Sequence, residues 1–277
     1  MTRVGFIGLG SQGGPMARRI VDEGYPLTIW ARRAASAEPF ADTAAKVART
    51  PAELGEASDV VGICVVADAD VEDVLLRPDG VLAGMAPGGL VAIHSTIHPD
   101  TCRRLAEAAG ERGVAVIDAP VSGGGGAAAA RGLLVMAGGA AEDVERARPV
   151  LETFANPLLH LGPLGSGQLA KLLNNFVFTA QVGLALDTFA FADRLGIDRA
   201  AAAAVLAGGS GGSRAAAILA ASGFDTTGLR GAAALLEKDV RITLEVADAQ
   251  SAAAPRALAD LARGTLTTLT NPPPAVG

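Results

Sequence analysis

Between Val4 and Met136 short apolar runs alternate with helix-like stretches, and from about Gly165 the strand signal gives way to helix alone. The runs are Val4–Ile7, Leu27–Ala31, Val47, Val60–Val66, Leu90–Ile93, Val114–Ile117 and Leu133–Met136. Between them lie helix-like segments from about Gly14, near Ala35, and from Asp100 behind Pro99, where proline suits a first turn. Strands joined by helical crossovers run parallel, and a parallel sheet must be covered on both faces. Val60-Val-Gly-Ile-Cys-Val-Val66 has no polar alternate, as a central strand requires. The pattern predicts an α/β domain over residues 1–162 and an all-α domain over 163–277, linked by a long helix. Gln168 to Leu195 contains no proline and only Gly183, enough for one helix of about 40 Å. Its apolar residues surround much of the circumference, which predicts burial between domains or against another subunit. Gly208–Ser213 reads as a flexible loop and Asn271–Gly277, with three prolines, as a frayed tail.

Directly behind the first apolar run lies Gly5-Phe-Ile-Gly-Leu-Gly-Ser-Gln-Gly-Gly-Pro-Met16. Gly8, Gly10 and Gly13 have the spacing of a strand-to-helix turn that holds a dinucleotide pyrophosphate. Such a turn needs a residue free to take positive φ, an open backbone beside the phosphate, and a small residue where helix meets strand. The candidate cradle is Gly8, Leu9, Gly10, Ser11, Gln12 and Gly13, with helix N-terminal amides facing the anion. A tight turn that binds nothing would use the same glycines. With the alternation above, the motif makes the first domain a candidate Rossmann domain.

A net charge of −6 provides no basic face for nucleic acid or an anionic membrane. No uninterrupted apolar run reaches the length of a bilayer span, and the chain passes from Met1 almost directly into a strand, so a cytoplasmic protein is expected. Cys64 and Cys102 stand apart from one another and from any metal-ligand pattern, and His94, His98 and His160 are scattered.

Gln168, Lys171 and Asn175 are spaced three and four apart, so they share one helix face. Apolar neighbours would partly desolvate Lys171 and suit it to proton transfer; a surface lysine snorkelling past the same neighbours is the alternative. Asp118-Ala-Pro-Val-Ser-Gly-Gly-Gly-Gly126 follows a strand, where open α/β sheets form their ligand crevice. Its glycine amides beside Ser122 could hold a substrate carboxylate, or could form a mobile connector. His94-Ser-Thr-Ile-His98 follows the preceding strand and is expected to open onto the same crevice.

With these four segments in order, Gly5–Met16, Asp118–Gly124, Gly167–Asn175 and Lys238-Asp239, the chain resembles the β-hydroxyacid dehydrogenases over nearly its whole length. That family includes 3-hydroxyisobutyrate dehydrogenase, tartronate semialdehyde reductase and glyoxylate/succinic semialdehyde reductases. The resemblance implies that Lys171 is the acid/base, that Asn175 helps hold the substrate, and that Ser122, Gly123 and Gly124 bind its carboxylate. It also implies that Thr96 lies near the nicotinamide, that Lys238 reaches the cofactor, and that Val66, Ala67, Asp68 and Val71 border a ribose. Dimers or tetramers are usual in the family. The chain departs from the family pattern at Gln12, Ala31, His94, Arg131 and Gly231, and lacks the last acidic helical segment of most relatives.

After the second strand, where an NAD enzyme places an acidic residue for the ribose diol, stand Arg32 and Arg33. Guanidinium groups suit a 2′-phosphate, so NADP(H) is expected over NAD(H). The expected activity is reversible hydride transfer between NADP(H) and a small 3-hydroxy acid or its semialdehyde or keto acid. Alternatives are an imine reductase of the same architecture, in which Asp or Tyr commonly replaces the lysine, and a dinucleotide-binding protein without catalysis.

Overall fold

A computed structural model describes residues 1–271; the predicted tail lies outside them apart from Asn271. The chain divides into two compact units, the first ending at Lys171 and the second starting at Leu172.

The first unit is built from β1 (Val4–Ile7), α1 (Gly13–Asp22), β2 (Leu27–Trp30), β3 (Lys46–Val47), α2 (Pro51–Glu56), β4 (Val60–Ile63), α3 (Asp68–Leu76), α4 (Val81–Gly84), β5 (Leu90–Ile93), α5 (Pro99–Gly110) and β6 (Ala115–Asp118). The six strands form one sheet in the order β3-β2-β1-β4-β5-β6, with every pairing parallel. Side chains alternate across it as strand geometry demands. Phe6, Leu90 and Ala92 enter one apolar cluster with Met16 and Ile20 of α1, while Ile7, Val91 and Ile93 enter another with Leu75 of α3 and Leu105 of α5. Each fully buried Phe, Leu, Ile, Val or Met side chain contributes about 1.5–3 kcal/mol. The order reverses between β1 and β4, and a doubly wound sheet opens its ligand crevice outside the carboxyl ends at that point.

The unit continues with β7 (Val121–Ser122), α6 (Gly124–Ala129), β8 (Leu133–Ala137), α7 (Ala141–Leu151) and β9 (Ala155–His160). Here the structure departs from a single, mainly parallel sheet. The Leu133 strand belongs to a separate sheet, β7-β8-β9, antiparallel to β7 and parallel to β9. Strand β9 escapes a sequence reading because Asn156 and Pro157 interrupt its apolar pattern; proline is tolerated at an edge. The Val60 strand ends at Ile63, three residues before its apolar run does, because the chain turns away at Cys64.

Helix α8 (Ser166–Arg194) begins in the first unit and runs on into the second, which adds α9 (Arg199–Gly208), α10 (Arg214–Ala221), α11 (Thr227–Ala249) and α12 (Arg256–Thr270). By length and mean hydropathy α8 could cross a membrane, although polar residues such as Lys171 and Asn175 interrupt it. The second unit's core joins Phe176 and Phe189 of α8 to Leu219, Leu236, Val240 and Leu266. Gly183 lets α8 meet α12 closely, since a Cβ there would lie 2.1 Å from Thr265 Oγ1. Gly208–Ser213 contains the end of α9 and the cap of α10, where Ser213 Oγ accepts from the Ala216 N–H at 3.1 Å.

Candidate active site

The three glycines after β1 have different steric positions. Gly8 has φ +97°, and a Cβ on it would lie 2.1 Å from the Cys64 carbonyl oxygen. A Cβ on Gly13 would lie 2.0 Å from the Gly8 carbonyl oxygen, at the contact of α1 with the end of β1. Gly10 is exposed, with nothing within 4 Å of where its Cβ would be. Two glycines are thus required by the protein's own backbone and one leaves open space where the turn begins. That is the division of roles a pyrophosphate cradle needs, and these residues fit a dinucleotide. The helical winding starts at Gly10, whose carbonyl accepts from the Gly14 N–H at 2.8 Å. Ser11 is exposed, Leu9 and Gln12 half-buried.

Beyond β4, Val66 is exposed and Ala67 and Asp68 are half-buried, whereas Val71 is fully buried in the core and its side chain presents no surface to a ribose. Asp68 also ties loops together: its Oδ2 accepts from the His98 N–H at 2.9 Å. Arg32 and Arg33 are exposed at the end of β2. Arg32 Nη2 donates to Asp70 Oδ1 at 3.3 Å, and Asp70 Oδ2 accepts from the Ala67 N–H at 3.2 Å. Asp70 is a partner the sequence reading missed, because nothing local links it to Arg32.

The Ser122 loop is ordered by β7 and α6 around two left-handed glycines, Gly123 (φ +136°) and Gly124 (φ +78°). It lies against the first turn: a Cβ on Gly125 would be 2.3 Å from the Ser11 carbonyl oxygen. The structure therefore brings the candidate carboxylate loop and the candidate phosphate turn together, backbone to backbone.

Within the segment expected to open onto the crevice, His94 turns inward, while Thr96 and His98 stay half-buried. His94 is 4% exposed, stacked on Phe6 at 5.9 Å and edge-on to Phe154 at 5.7 Å. Its Nδ1–H donates to the Ala119 carbonyl at 2.8 Å. Burial pushes its pKa down from 6.5 to about 4, opposed in part by that hydrogen bond. The folded protein thus holds a neutral ring, and the resulting stability is present above pH 6.5 and lost as pH falls toward 4. Over that window the loss is about 3 kcal/mol. Asp118, raised by burial, has the opposite sign: its contribution is fully present below its ordinary 3.8 and falls as pH rises. Urea unfolding at pH 7 and pH 4.5 should show the His94 loss in the wild type. His94→Asn, which keeps a donor but cannot ionise, should lower the baseline and remove most of the acid step; an undiminished step would clear His94 of it.

Asp118 and Gln168 are also buried, at 0% exposure each. Asp118 Oδ1 accepts from Gly165 N–H and Oδ2 from Gln168 N–H, both at 2.7 Å, so it caps the start of α8 from the end of β6. Gln168, expected on the same helix face as Lys171, is buried, and its side chain hydrogen-bonds within the first unit. Lys171, one turn further on, and Thr96 are half-buried.

In the second unit, Asn175 Nδ2 donates to Asp239 Oδ2 at 2.6 Å, and Lys238 Nζ lies 3.2 Å from Asp239 Oδ1. Asp239 is buried, and its Oδ1 lies within ion-pair range of Lys238 without a partner in hydrogen-bonding geometry. The family motif Lys238-Asp239 was noted for the cofactor; its Asp239 carboxylate accepts from Asn175 and orients it.

Two family models match this chain. The NAD-binding domain of 6-phosphogluconate dehydrogenase matches residues 3–162, and the NAD-binding domain of NADP-dependent 3-hydroxyisobutyrate dehydrogenase matches residues 165–271. The chain belongs to the β-hydroxyacid dehydrogenase family. Members of this family are nicotinamide-dependent oxidoreductases, so its cofactor is a nicotinamide dinucleotide and its substrate a small molecule. The chain is 39% identical over 175 residues to the NAD-dependent L-serine dehydrogenase of Pseudomonas aeruginosa, covering 63% of this chain and 59% of that protein. It is 34% identical over 200 residues to the 3-hydroxyisobutyrate dehydrogenase of the same organism, covering 72% and 67%. Among solved structures, the 3-hydroxyisobutyrate dehydrogenase of Mycobacterium tuberculosis with L-serine superposes with a TM-score of 0.85 at 28% identity, covering 98% of this chain and 94% of that one. An imine reductase from a Pseudomonas species shares the fold, with a TM-score of 0.67 at 21% identity, covering 97% and 94%.

Proposed function

We propose that this β-hydroxyacid dehydrogenase interconverts a small 3-hydroxy acid and its semialdehyde or keto acid, with Lys171 as general acid/base and NADP(H) preferred. The observation that carries the reading is the placement of Lys171, half-buried one turn into a helix whose start is capped by buried Asp118 beside the Thr96 loop. A nicotinamide supplies or accepts the hydride when bound. Gly8–Gly13 would hold its pyrophosphate, and Ser122, Gly123 and Gly124 the substrate carboxylate. In reduction, the protonated Lys171 Nζ gives its proton to the forming alkoxide and becomes a neutral amine; in oxidation the neutral amine takes the hydroxyl proton. Asn175, oriented by Asp239, would hold the substrate. The relatives' names point to β-hydroxy substrates such as L-serine and 3-hydroxyisobutyrate. The lysine itself argues for this chemistry over imine reduction. A panel of 3-hydroxy acids, semialdehydes and cyclic imines is the test: turnover of imines alone would overturn it.

The phosphate preference is supported by Arg32 and Arg33 and by a solved neighbour in complex with NADP+, which shares 26% identity and superposes with a TM-score of 0.83. The L-serine dehydrogenase, named NAD-dependent, points the other way. Arg32→Ala combined with Arg33→Ala should lower kcat/KM for NADPH roughly 10- to 100-fold, two charge-assisted contacts being lost, and leave NADH nearly unaffected. Equal losses with both cofactors would refute a 2′-phosphate role. We further infer a homodimer or homotetramer, supported by the exposed apolar side chains Leu173, Leu184 and Phe191 of α8, Leu195 just beyond it and Val205 of α9. A monomer mass by light scattering would refute it.

A further inference from the structure

Gln168 makes a paired contact that the proposed reaction does not require. Its Nε2 donates to the Ser95 carbonyl at 2.8 Å and its Oε1 accepts from the Ile97 N–H at 3.1 Å. Those two backbone groups flank Thr96, so the side-chain amide holds that loop as a neighbouring strand would. Ser95 is fixed in turn, its Oγ accepting from the Val65 N–H at 2.8 Å. On the helix side, the Gln168 N–H and the Gly165 N–H end on the two oxygens of Asp118. The space for that carboxylate is kept by two glycines: a Cβ on Gly138 would lie 2.4 Å from Asp118 Oδ1, and one on Gly167 would lie 2.8 Å from Oδ2.

Burying an amide and a carboxylate at 0% exposure is costly, and packed apolar side chains would hold the helix to the sheet at least as well. Apolar contact has no direction, however, whereas four hydrogen bonds fix both the advance and the rotation of the first turn. Lys171 follows Gln168 by three residues, about 4.5 Å along the axis. We propose that Gln168 and Asp118 are positioning residues that lock the first turn of α8, and with it Lys171, to the Thr96 loop. The proposal rests on Lys171 being the proton donor.

The test compares Gln168→Leu and Gln168→Glu with wild type in the NADPH-dependent reduction of a semialdehyde that the wild-type enzyme turns over. Removing both amide bonds in Gln168→Leu should lower kcat roughly 10- to 100-fold, the cost of a misplacement near 1 Å, with KM for NADPH little changed. The Glu variant discriminates further. Ionised, it cannot donate to the Ser95 carbonyl; protonated, it reproduces both contacts of the glutamine. Its kcat relative to wild type should therefore climb toward one as pH falls, while the relative kcat of Gln168→Leu stays flat. In a Lys171→Met background, Gln168→Leu should cause no further loss. Wild-type kcat in both Gln168 variants overturns the proposal, as does a flat ratio for Gln168→Glu or loss of fold by circular dichroism in both. If instead Lys171→Met keeps full turnover, the proton-donor reading fails, whatever Gln168 does.

Discussion

Lys171→Met is expected to lower kcat by about 10²- to 10⁴-fold, the usual worth of a positioned general acid. Methionine keeps the apolar stem as far as Cε, so packing on the first turns of α8 survives while the ammonium group is removed. Affinity for NADPH should be essentially unchanged, because the candidate cradle around Gly8–Gly13 lies on another element. The pH profile carries the second signature. If Lys171 is the proton donor, reduction by the wild type should decline on the alkaline side, whereas the residual rate of the variant should not follow that limb. Fluorescence titration with NADPH and steady-state kinetics between pH 6 and 10 measure both. A kcat within a fewfold of wild type would remove Lys171 from the chemistry.

Gly8→Ala and Gly10→Ala should fail in opposite ways, although they lie two residues apart. Alanine at position 8 must take φ near +97° with its methyl 2.1 Å from the Cys64 carbonyl oxygen. Left-handed strain alone costs about 1–3 kcal/mol, and relieving the overlap requires β1 and the segment after β4 to separate. The expected result is a Tm lower by about 5–10 °C, or no soluble folded protein. At position 10 the methyl meets no protein atom within 4 Å, so stability should be unchanged. It would occupy the volume assigned to the pyrophosphate. If two amide contacts of about 1 kcal/mol each are lost, NADPH affinity falls roughly 30-fold. Differential scanning fluorimetry with and without NADPH separates the cases: Gly10→Ala should keep the wild-type Tm and lose the cofactor-induced shift. A normal NADPH shift in Gly10→Ala would move the phosphate elsewhere.

The parts of the fold around the candidate site that follow local pattern were legible beforehand. The spacing behind β1 marks Gly8 and Gly13 as positions where a side chain cannot fit, and the uninterrupted course of α8 follows from the absence of proline. Residues whose meaning depends on what they face were not. His94 looked like part of a crevice because it follows a strand, yet it lies between Phe6 and Phe154, and only the latter's return at the end of α7 closes that space. Asp70 gave no hint of holding Arg32 across 38 positions. The Leu133 run reads like any other parallel strand until its pairing with β7 assigns it to a second sheet.

By itself the sequence determined most of the strands and the long helix, how the α/β part gives way to helix, and which turn is free enough of side chains to cradle a phosphate. Those properties are local: two-residue and 3.6-residue periodicities, glycine and proline positions, and short spacings. Only the tertiary structure decided which polar residues go inward. Gln168 pairs with residues 71 and 73 positions away and Asp118 with one 50 positions away. A buried amide or carboxylate is tolerated only where such partners converge, and no pattern along the chain records that convergence.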